Sequence, residues 1–435
     1  MTEPLKIALA GLGTVGAGVV KLLDANADLI ARRAGRPIVV VAVNARDRMR
    51  DRGVDVARFD WVDDTGALAD RSDVDVVVEL IGGSDGPALA LAHRTIAAGK
   101  AFVTANKAMI AHHGLALAEA AESAGVALKY EAAVAGGVPV IKGVREGAAA
   151  NDITQVYGIL YGTCNYILSR MEAEGSDFAD VLADAQALGF AEADPSFDID
   201  GVDAAHKLSI LASLAFGTRL AFDGVVQSGI RPIIAADIAQ ARALGFCVRL
   251  VGLAEANAHG LFQRVAPCLV PLSHPLAHVT GAMNAVVAEG NYVGRLFFEG
   301  RGAGEGPTAS AVVADLIDIA RGEIGPAFAM PVASQTDAPP AAPGERRGRA
   351  YLRFTVADRA GVLAELTAAM RDGGVSIESL IQRGEAQDAD GLGGGVFVAM
   401  TTHEGPERTV TAALDRLAGS PSLTGKPMWM PILDV

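Results

Sequence analysis

Along the first 130 residues, short apolar runs alternate with stretches of helical spacing. Lys6–Ala10 is an apolar run that ends in glycines, and Val15–Ala31 places Val15, Val19, Leu22, Leu23 and Ile30 near the repeat of a helix. Pro37–Val43 contains Ile-Val-Val-Val-Ala-Val, the β-branched run expected of a strand buried on both faces. A second such run, Val74–Ile81, stops at Gly82-Gly83. It is followed by a helical Pro87–Ala98, a short strand Ala101–Thr104, a helical Leu115–Ala124 and a strand Val126–Tyr130. This βαβαβ rhythm over residues 1–130 predicts a parallel, doubly wound sheet. From 131 to 300 the pattern becomes α+β. Helical Cys164–Glu174, Phe178–Leu188 and Asp203–Phe216 mix with candidate antiparallel strands Arg249–Ala256, Phe262–Leu269 and Ala285–Gly290. A helix over Pro307–Ala320 follows a glycine-rich loop, and residues 301–325 are expected to pack back onto the first domain and complete it.

Residues 331–348 are rich in proline and poor in large apolar side chains, which predicts a linker able to hold the tail apart from the rest. Residues 349–435 carry their own pattern. It comprises a strand at Tyr351–Val356, a helix at Gly361–Asp372, a strand at Val375–Arg383, a strand at Gly395–Thr401, a helix at Glu407–Ala418 and a last strand near Pro427–Leu433. The order βαββαβ is that of a ferredoxin-like domain.

Composition narrows the classes. The 435 residues are 51% apolar and 20% charged, as in globular proteins of several domains. A net charge of −14 argues against general binding to nucleic acid or anionic membranes, but not against phosphate held in one pocket. Three cysteines, Cys164, Cys247 and Cys268, make neither a disulfide framework nor a zinc motif. The start lacks the features of a signal peptide, and no apolar run approaches the ~20 residues of a membrane span. The expectation is a reduced, cytoplasmic protein with a small-molecule substrate.

Two segments carry candidate chemistry. Gly11-Leu12-Gly13-Thr14-Val15-Gly16 is GxGxxG between a predicted strand and a predicted helix. The first glycine allows the tight turn, the second lets backbone approach a pyrophosphate, and the third lets helix and strand pack closely. This context predicts a Rossmann-like dinucleotide site. Asn44 and Arg46 stand at the end of the second strand, where NAD-preferring sites usually carry an acid. They lean toward the 2′-phosphate of NADP and leave NAD open. The other segment, Gly189–Lys207, crowds Glu192, Asp194, Asp198, Asp200, Asp203, His206 and Lys207 together, with Asp203 and Lys207 one turn apart on a helix. Five carboxylates within twelve residues exceed the needs of a capped helix. Lys107, after Thr104-Ala105-Asn106, ends a strand at the sheet edge where ligands of doubly wound folds bind, and so could meet the nicotinamide.

These motifs, with Tyr130–Ile141 (YEAAVAGGVPVI), Gly158–Leu168 (GILYGTCNYIL) and Gly300–Asp318 (GRGAGEGPTASAVVADLID), occur in this order in homoserine dehydrogenases, and residues 1–330 resemble that family. The tail resembles an ACT domain, a small regulatory module. The resemblance implies NAD(P)H-dependent interconversion of L-aspartate 4-semialdehyde and L-homoserine, with Lys207 as proton donor, Asp203 orienting it or the substrate oxygen, and Lys107 between nicotinamide and substrate. It implies that Glu192 and Asp198 hold the substrate ammonium, and that Gly162 and Thr163 meet its carboxylate. It further implies that Leu12, Thr14, Val15, Gly302 and Gly304 join the glycines of the loop around the cofactor. A monovalent cation, Na+ by expectation, would be held by Glu131 and the carbonyls of Val134, Gly136 and Val138. The middle domain, 131–300, would serve catalysis and dimerisation in a homodimer or homotetramer. An effector, expected to be L-threonine, would bind the Val356–Leu363 loop near Asp358 and Gly361. Tyr161, Cys164 and Phe190 depart from the family pattern and bear on substrate contacts. Two other readings are a Cys164-dependent aldehyde dehydrogenase and a non-catalytic sensor of NADP or an amino acid.

Overall fold

The β-branched runs lie at the centre of the first domain, where the strands Leu5–Ala10 and Val76–Glu79 are buried almost throughout. The structure is a computed structural model that describes residues 3–188, 194–257, 259–385 and 395–434. Strands β1 (Leu5–Ala10), β2 (Ile38–Asn44), β3 (Asp60–Trp61), β4 (Val76–Glu79), β5 (Ala101–Thr104) and β6 (Leu128–Lys129) are parallel, in the order β3-β2-β1-β4-β5-β6. The order reverses between β1 and β4, which opens a crevice at the carboxyl edge of the sheet. The single helix predicted over 15–31 is two, α1 (Thr14–Ala25) and α2 (Ala27–Ala34), because Asn26 leaves helical geometry at φ −116°, ψ 22°. After α3 (Ala67–Asp70) and α4 (Pro87–Ala97), α5 (Lys107–Ala124) starts two turns earlier than its apolar pattern implied. The side chain of Asn106 accepts a bond from the Met109 N–H at 3.1 Å and caps it.

The middle domain holds α6 (Val140–Lys142), β7 (Ile153–Ile159), α7 (Gly162–Glu174), α8 (Phe178–Ala187), α9 (Ser196–Ile199), α10 (Val202–Phe216), β8 (Val226–Gln227), α11 (Ala235–Ala243), β9 (Phe246–Asn257), β10 (Gly260–Pro271), β11 (Met283–Gly290) and β12 (Gly294–Arg301). Its sheet runs β12-β11-β7-β9-β10-β8. Strand β7, with its polar residues, and the part-exposed edge strand β12 escaped the apolar pattern. Residues 203–214 of α10 are buried on every side, so the helix is a core element that carries its charges inward. The chain then returns as α12 (Glu305–Ala320). Ala309, Val312 and Leu316 pack with Val19, Val20 and Leu23 of α1, and Glu305 pairs with Lys21 at 3.0 Å.

The C-terminal domain has β14 (Ala350–Val356), α13 (Val362–Gly373), β15 (Ile377–Glu385), β16 (Val396–Thr402), α14 (Glu407–Leu417) and β18 (Met428–Pro431) in the antiparallel order β15-β16-β14-β18; β13 (Arg347–Gly348) and β17 (Gly405–Pro406) form a small ladder beside it. Side chains alternate across this sheet. Leu352, Phe354, Val398 and Met400 pack under α13 and α14, while Tyr351, Phe397, Ala399 and Met430 join the core of the middle domain. The Leu433 N–H donates to the Leu269 carbonyl at 2.8 Å, and Arg264 pairs with Glu407 at 2.8 Å.

The proline-rich segment therefore does not act as a free spacer. Val332 and Gln335 are buried, Thr336 exchanges backbone bonds with Gly217 and Arg219, and Leu261 of β10 bonds to the Pro339 carbonyl and the Ala341 N–H, both at 2.9 Å. A proline that donates no N–H is tolerated there because the strand meets only the end of β10. Cutting the chain after Pro340 uncovers the face that Tyr351, Phe397 and Met430 bury. The truncated protein should unfold more than about 5 °C below the whole chain in scanning calorimetry. An unchanged transition would mean that the two units are not thermodynamically joined.

Candidate active site

The glycine loop shows what each of its positions does. Gly11 has φ +102°, and a Cβ there would stand 2.6 Å from the Leu80 carbonyl oxygen. A Cβ on Gly16 would stand 2.3 Å from the Gly11 carbonyl oxygen, so that residue packs helix on strand. A Cβ on Gly13 would meet nothing within 4 Å, which leaves its surface open at the amino end of α1 beside the exposed Thr14 and half-buried Val15, while Leu12 is buried. A cleft of about 470 Å³ runs from Gly11, Leu12 and Gly13 past Asn44, Arg46 and Arg50. Asn44 spends its amide on Val62, Asp63 and Thr65 and so shapes the loop. Arg52 likewise donates to the Leu12 carbonyl at 2.7 Å. Arg46 and Arg50 are the exposed cations lining this end, and no acid ends β2. On the other side, Glu79 accepts bonds from the Ile81 and Gly82 N–H groups and from Thr104, fixing the loop after β4. A carboxylate closing an all-valine strand was a signal in the sequence that pattern reading passed over.

Three charges meet where the domains join. Lys107, at the first position of α5, reaches one oxygen of Asp203 at 2.9 Å. Lys207 reaches the other at 2.6 Å and also donates to the Leu160 carbonyl at 2.8 Å. Asn284 of β11 bonds the same carbonyl at 2.7 Å. Burial would push the Asp203 carboxyl up, but the two ammonium groups together hold it below the usual carboxylate range. Burial pulls the Lys207 ammonium down despite the opposing pull of Asp203. The ammonium also lies 5.3 Å from the Tyr161 ring centre. Tyr161 is hydrogen-bonded to Asp198 and Thr163, so the residue that departs from the family pattern bridges two candidate substrate contacts. Asp198 sits on α9 and Thr163 in the first turn of α7. A Cβ at Gly162 would stand 2.8 Å from the Ala282 carbonyl oxygen, which explains the glycine. Glu192 and Phe190 lie outside the described residues.

Beside this cluster His206 and His112 share a bond between their Nε2 atoms at 3.1 Å, and the His206 ring stacks on Phe222 at 4.6 Å. Burial and the neighbouring His112 lower His206 to about 4, so it is neutral at physiological pH. This pair ties α5 to α10, and only the tertiary contact reveals it. Cys164 is fully buried, its thiol donates to the Asp198 carbonyl at 3.4 Å, and burial raises it well above the ordinary thiol value. No thiolate nucleophile forms there.

Other candidates lie apart. Glu131 accepts from the Ile141 and Lys142 N–H groups at 3.0 and 2.9 Å, and burial together with Asp315 pushes it up to about 7. Val134, Gly136 and Val138 form the adjacent loop. A Cβ on Gly136 would stand 2.4 Å from the Gly302 carbonyl oxygen, so this loop abuts the Gly302–Gly304 turn at the start of α12. Among the described residues no group of three His, Cys, Asp or Glu side chains is placed to hold a metal ion. Gly361, at φ +93°, is itself the N-cap of α13, and Asp358 is exposed and does not cap that helix. No helix among the described residues is long and apolar enough to cross a membrane.

A doubly wound dinucleotide domain, a catalytic domain with two lysines flanking a buried carboxylate, and a docked ferredoxin-like tail define a nicotinamide-dependent dehydrogenase. Residues 11–131 match the family model "Homoserine dehydrogenase, NAD binding domain", residues 139–317 match "Homoserine dehydrogenase" and residues 350–419 match "ACT domain". The chain is 45% identical over 432 residues to a homoserine dehydrogenase of Pseudomonas aeruginosa, covering 96% of each. It is 43% identical over 421 residues to one of Neisseria gonorrhoeae, covering 95% of this chain and 94% of that one. The crystal structure of a homoserine dehydrogenase from Thiobacillus denitrificans superimposes with a TM-score of 0.93 at 40% identity over 99% of both chains. The chain belongs to the homoserine dehydrogenase family. It is an oxidoreductase acting on a CH–OH group, interconverting L-homoserine and L-aspartate 4-semialdehyde with a nicotinamide dinucleotide.

The open space at Gly13 makes one consequence specific. Gly13→Val should fold with a melting temperature within about 2 °C of the parent, yet weaken dinucleotide binding more than ~10-fold in calorimetric titration, because the side chain occupies pyrophosphate space. Gly16→Val should instead lower the melting temperature, as its Cβ has no room.

Proposed function

We propose that Lys207 is the proton donor to the substrate aldehyde oxygen, that Asp203 orients it, and that Lys107 adds a second ammonium beside the developing alkoxide. The observation that carries this reading is the Lys107–Asp203–Lys207 cluster where the first domain meets the middle one. Two cations on one carboxylate leave a net positive charge preorganised for an alkoxide. The bound dinucleotide supplies hydride exchange at the substrate carbinol or aldehyde carbon. Asp198 and Glu192 hold the substrate ammonium, and Thr163 with the Gly162 backbone at the start of α7 meets its carboxylate.

The exposed Arg46 and the absence of an acid at the end of β2 favour NADP over NAD, a preference that kcat/KM with each cofactor measures directly. A monovalent cation such as Na+ fits Glu131 with the carbonyls of Val134, Gly136 and Val138. The donor set is all oxygen, and the buried carboxylate stands beside a second one, Asp315, whose oxygen accepts the Glu131 N–H at 2.8 Å. Such an ion would brace the loop against the Gly302–Gly304 turn. Three buried free cysteines suit a reduced cytoplasm. The exposed edge strand β12, with Tyr292 90% exposed beside it, favours a homodimer or homotetramer. L-threonine is the proposed effector at the loop between β14 and α13, near Asp358 and Gly361.

Lys207→Ala should lower kcat at least ~10²-fold with cofactor affinity near normal. Aldehyde reduction needs the ammonium form, so its rate should fall as pH rises through the Lys207 pKa, which burial places below 10.5. Homoserine oxidation needs the neutral amine and should rise over the same range. Asp203→Asn removes a group that raises that pKa, so both inflections should move to lower pH. A pH profile unmoved by Asp203→Asn removes Lys207 from the proton step. L-threonine should inhibit non-competitively with homoserine and slow hydrogen exchange in residues 357–361. Purely competitive inhibition would make it an active-site analogue.

A further inference from the structure

We infer that Arg353, on the first strand of the C-terminal domain, is a positioning residue for the segment that carries Asp198. This rests on the reading of Asp198 as a substrate contact. Arg353 donates to Asp237 at 2.5 Å and lies 3.4 Å from the Pro232 carbonyl oxygen, and Tyr351 of the same strand donates to the other oxygen of Asp237 at 3.1 Å. Asp237 is wholly buried and also accepts the Ile234 N–H at 3.2 Å, so it fixes the start of α11 and the loop before it.

That loop is the backing of α9. The Ile230 N–H donates to the Ile199 carbonyl at 3.0 Å. A Cβ on Gly229 would stand 2.2 Å from the Ile199 carbonyl oxygen and 2.6 Å from the Asp200 Cα, so backbone lies directly on backbone. Arg231 holds Asp200 at 2.8 Å and the Ser196 hydroxyl at 2.9 Å. Gly201, at φ +90°, then leads into α10 with Asp203 and Lys207. The C-terminal domain thus reaches the substrate segment through one short series of bonds, from Arg353 to Asp237 and the 228–234 loop, and from there to 196–200. Strand β14 itself runs into the loop assigned to the effector, with Arg353 three residues, about 10 Å, before Val356. A displacement of that strand acts on Asp237 and the loop together.

Burial raises Asp237 to about 6 against the opposing pull of Arg353. Removing the guanidinium leaves a buried carboxylate without its counter-charge, and the loop must move to solvate it or the carboxyl must take a proton. In the full-length enzyme, Arg353→Met should raise the KM for homoserine about 5–10-fold while the KM for the dinucleotide stays within about 2-fold. Arg353→Lys should recover most of the loss. Hydrogen exchange at the amides of 198–200 and 230 should quicken in Arg353→Met relative to amides of the first sheet. The double variant Arg353→Met/Asp237→Asn removes both charges and should fold and bind homoserine better than Arg353→Met alone. Unchanged homoserine KM and unchanged exchange at 198–200, or equal increases in both KM values, overturn the inference. Asp198→Asn, measured in parallel, separates the two readings. If it leaves homoserine KM unaltered, the substrate role of Asp198 fails, while quickened exchange at 198–200 in Arg353→Met still shows that Arg353 positions the segment.

Discussion

Everything at the centre of this enzyme depends on one buried carboxylate held between two ammonium groups from different domains. Burial alone would push both Asp203 and Lys207 toward their neutral forms. Their pairing through adjacent turns of α10, completed by Lys107 from α5, lets charge persist inside an otherwise apolar helix environment. The requirement is mutual. The ion cluster needs the domain seam to exclude water, and the seam is fixed partly by the cluster and partly by the His112–His206 bond beside it. Buried charge and domain packing are one arrangement here.

Close backbone approach is the second constraint. Gly11 against Leu80, Gly136 against Gly302 and Gly229 against Ile199 each place main chain on main chain with no room for a Cβ. These contacts stand at the glycine loop, at the turn that starts α12, and behind α9. Side chains there would force the backbones of the elements apart.

The C-terminal domain is part of the same packing system. Its sheet has helices on one face and the middle domain on the other, and the strap from 331 to 348 hydrogen-bonds along the way. A small sheet with two buried faces has little freedom to float on a tether. Its contact with the middle domain therefore passes through docked side chains.

The sequence by itself determined the elements whose signals are local. The glycine loop, the β-branched strands, the i,i+4 pair Asp203 and Lys207, and the βαββαβ order of the tail were legible because each depends on residues a few positions apart. It determined the family through the order of those motifs. It misjudged 331–348, because composition reports that a segment lacks core residues of its own and says nothing of a neighbouring edge such as Leu261 that can pair with it. Helix α5 began earlier than its apolar pattern because a single side-chain bond from Asn106 set its start. The second histidine of the seam, the Asn284 bond to Leu160 and the Arg353–Asp237 pair join residues far apart in the chain. No local period encodes such meetings. They exist only once the sheets and helices are packed, since burial is what turns a surface-type charge or amide into one that must find its partner.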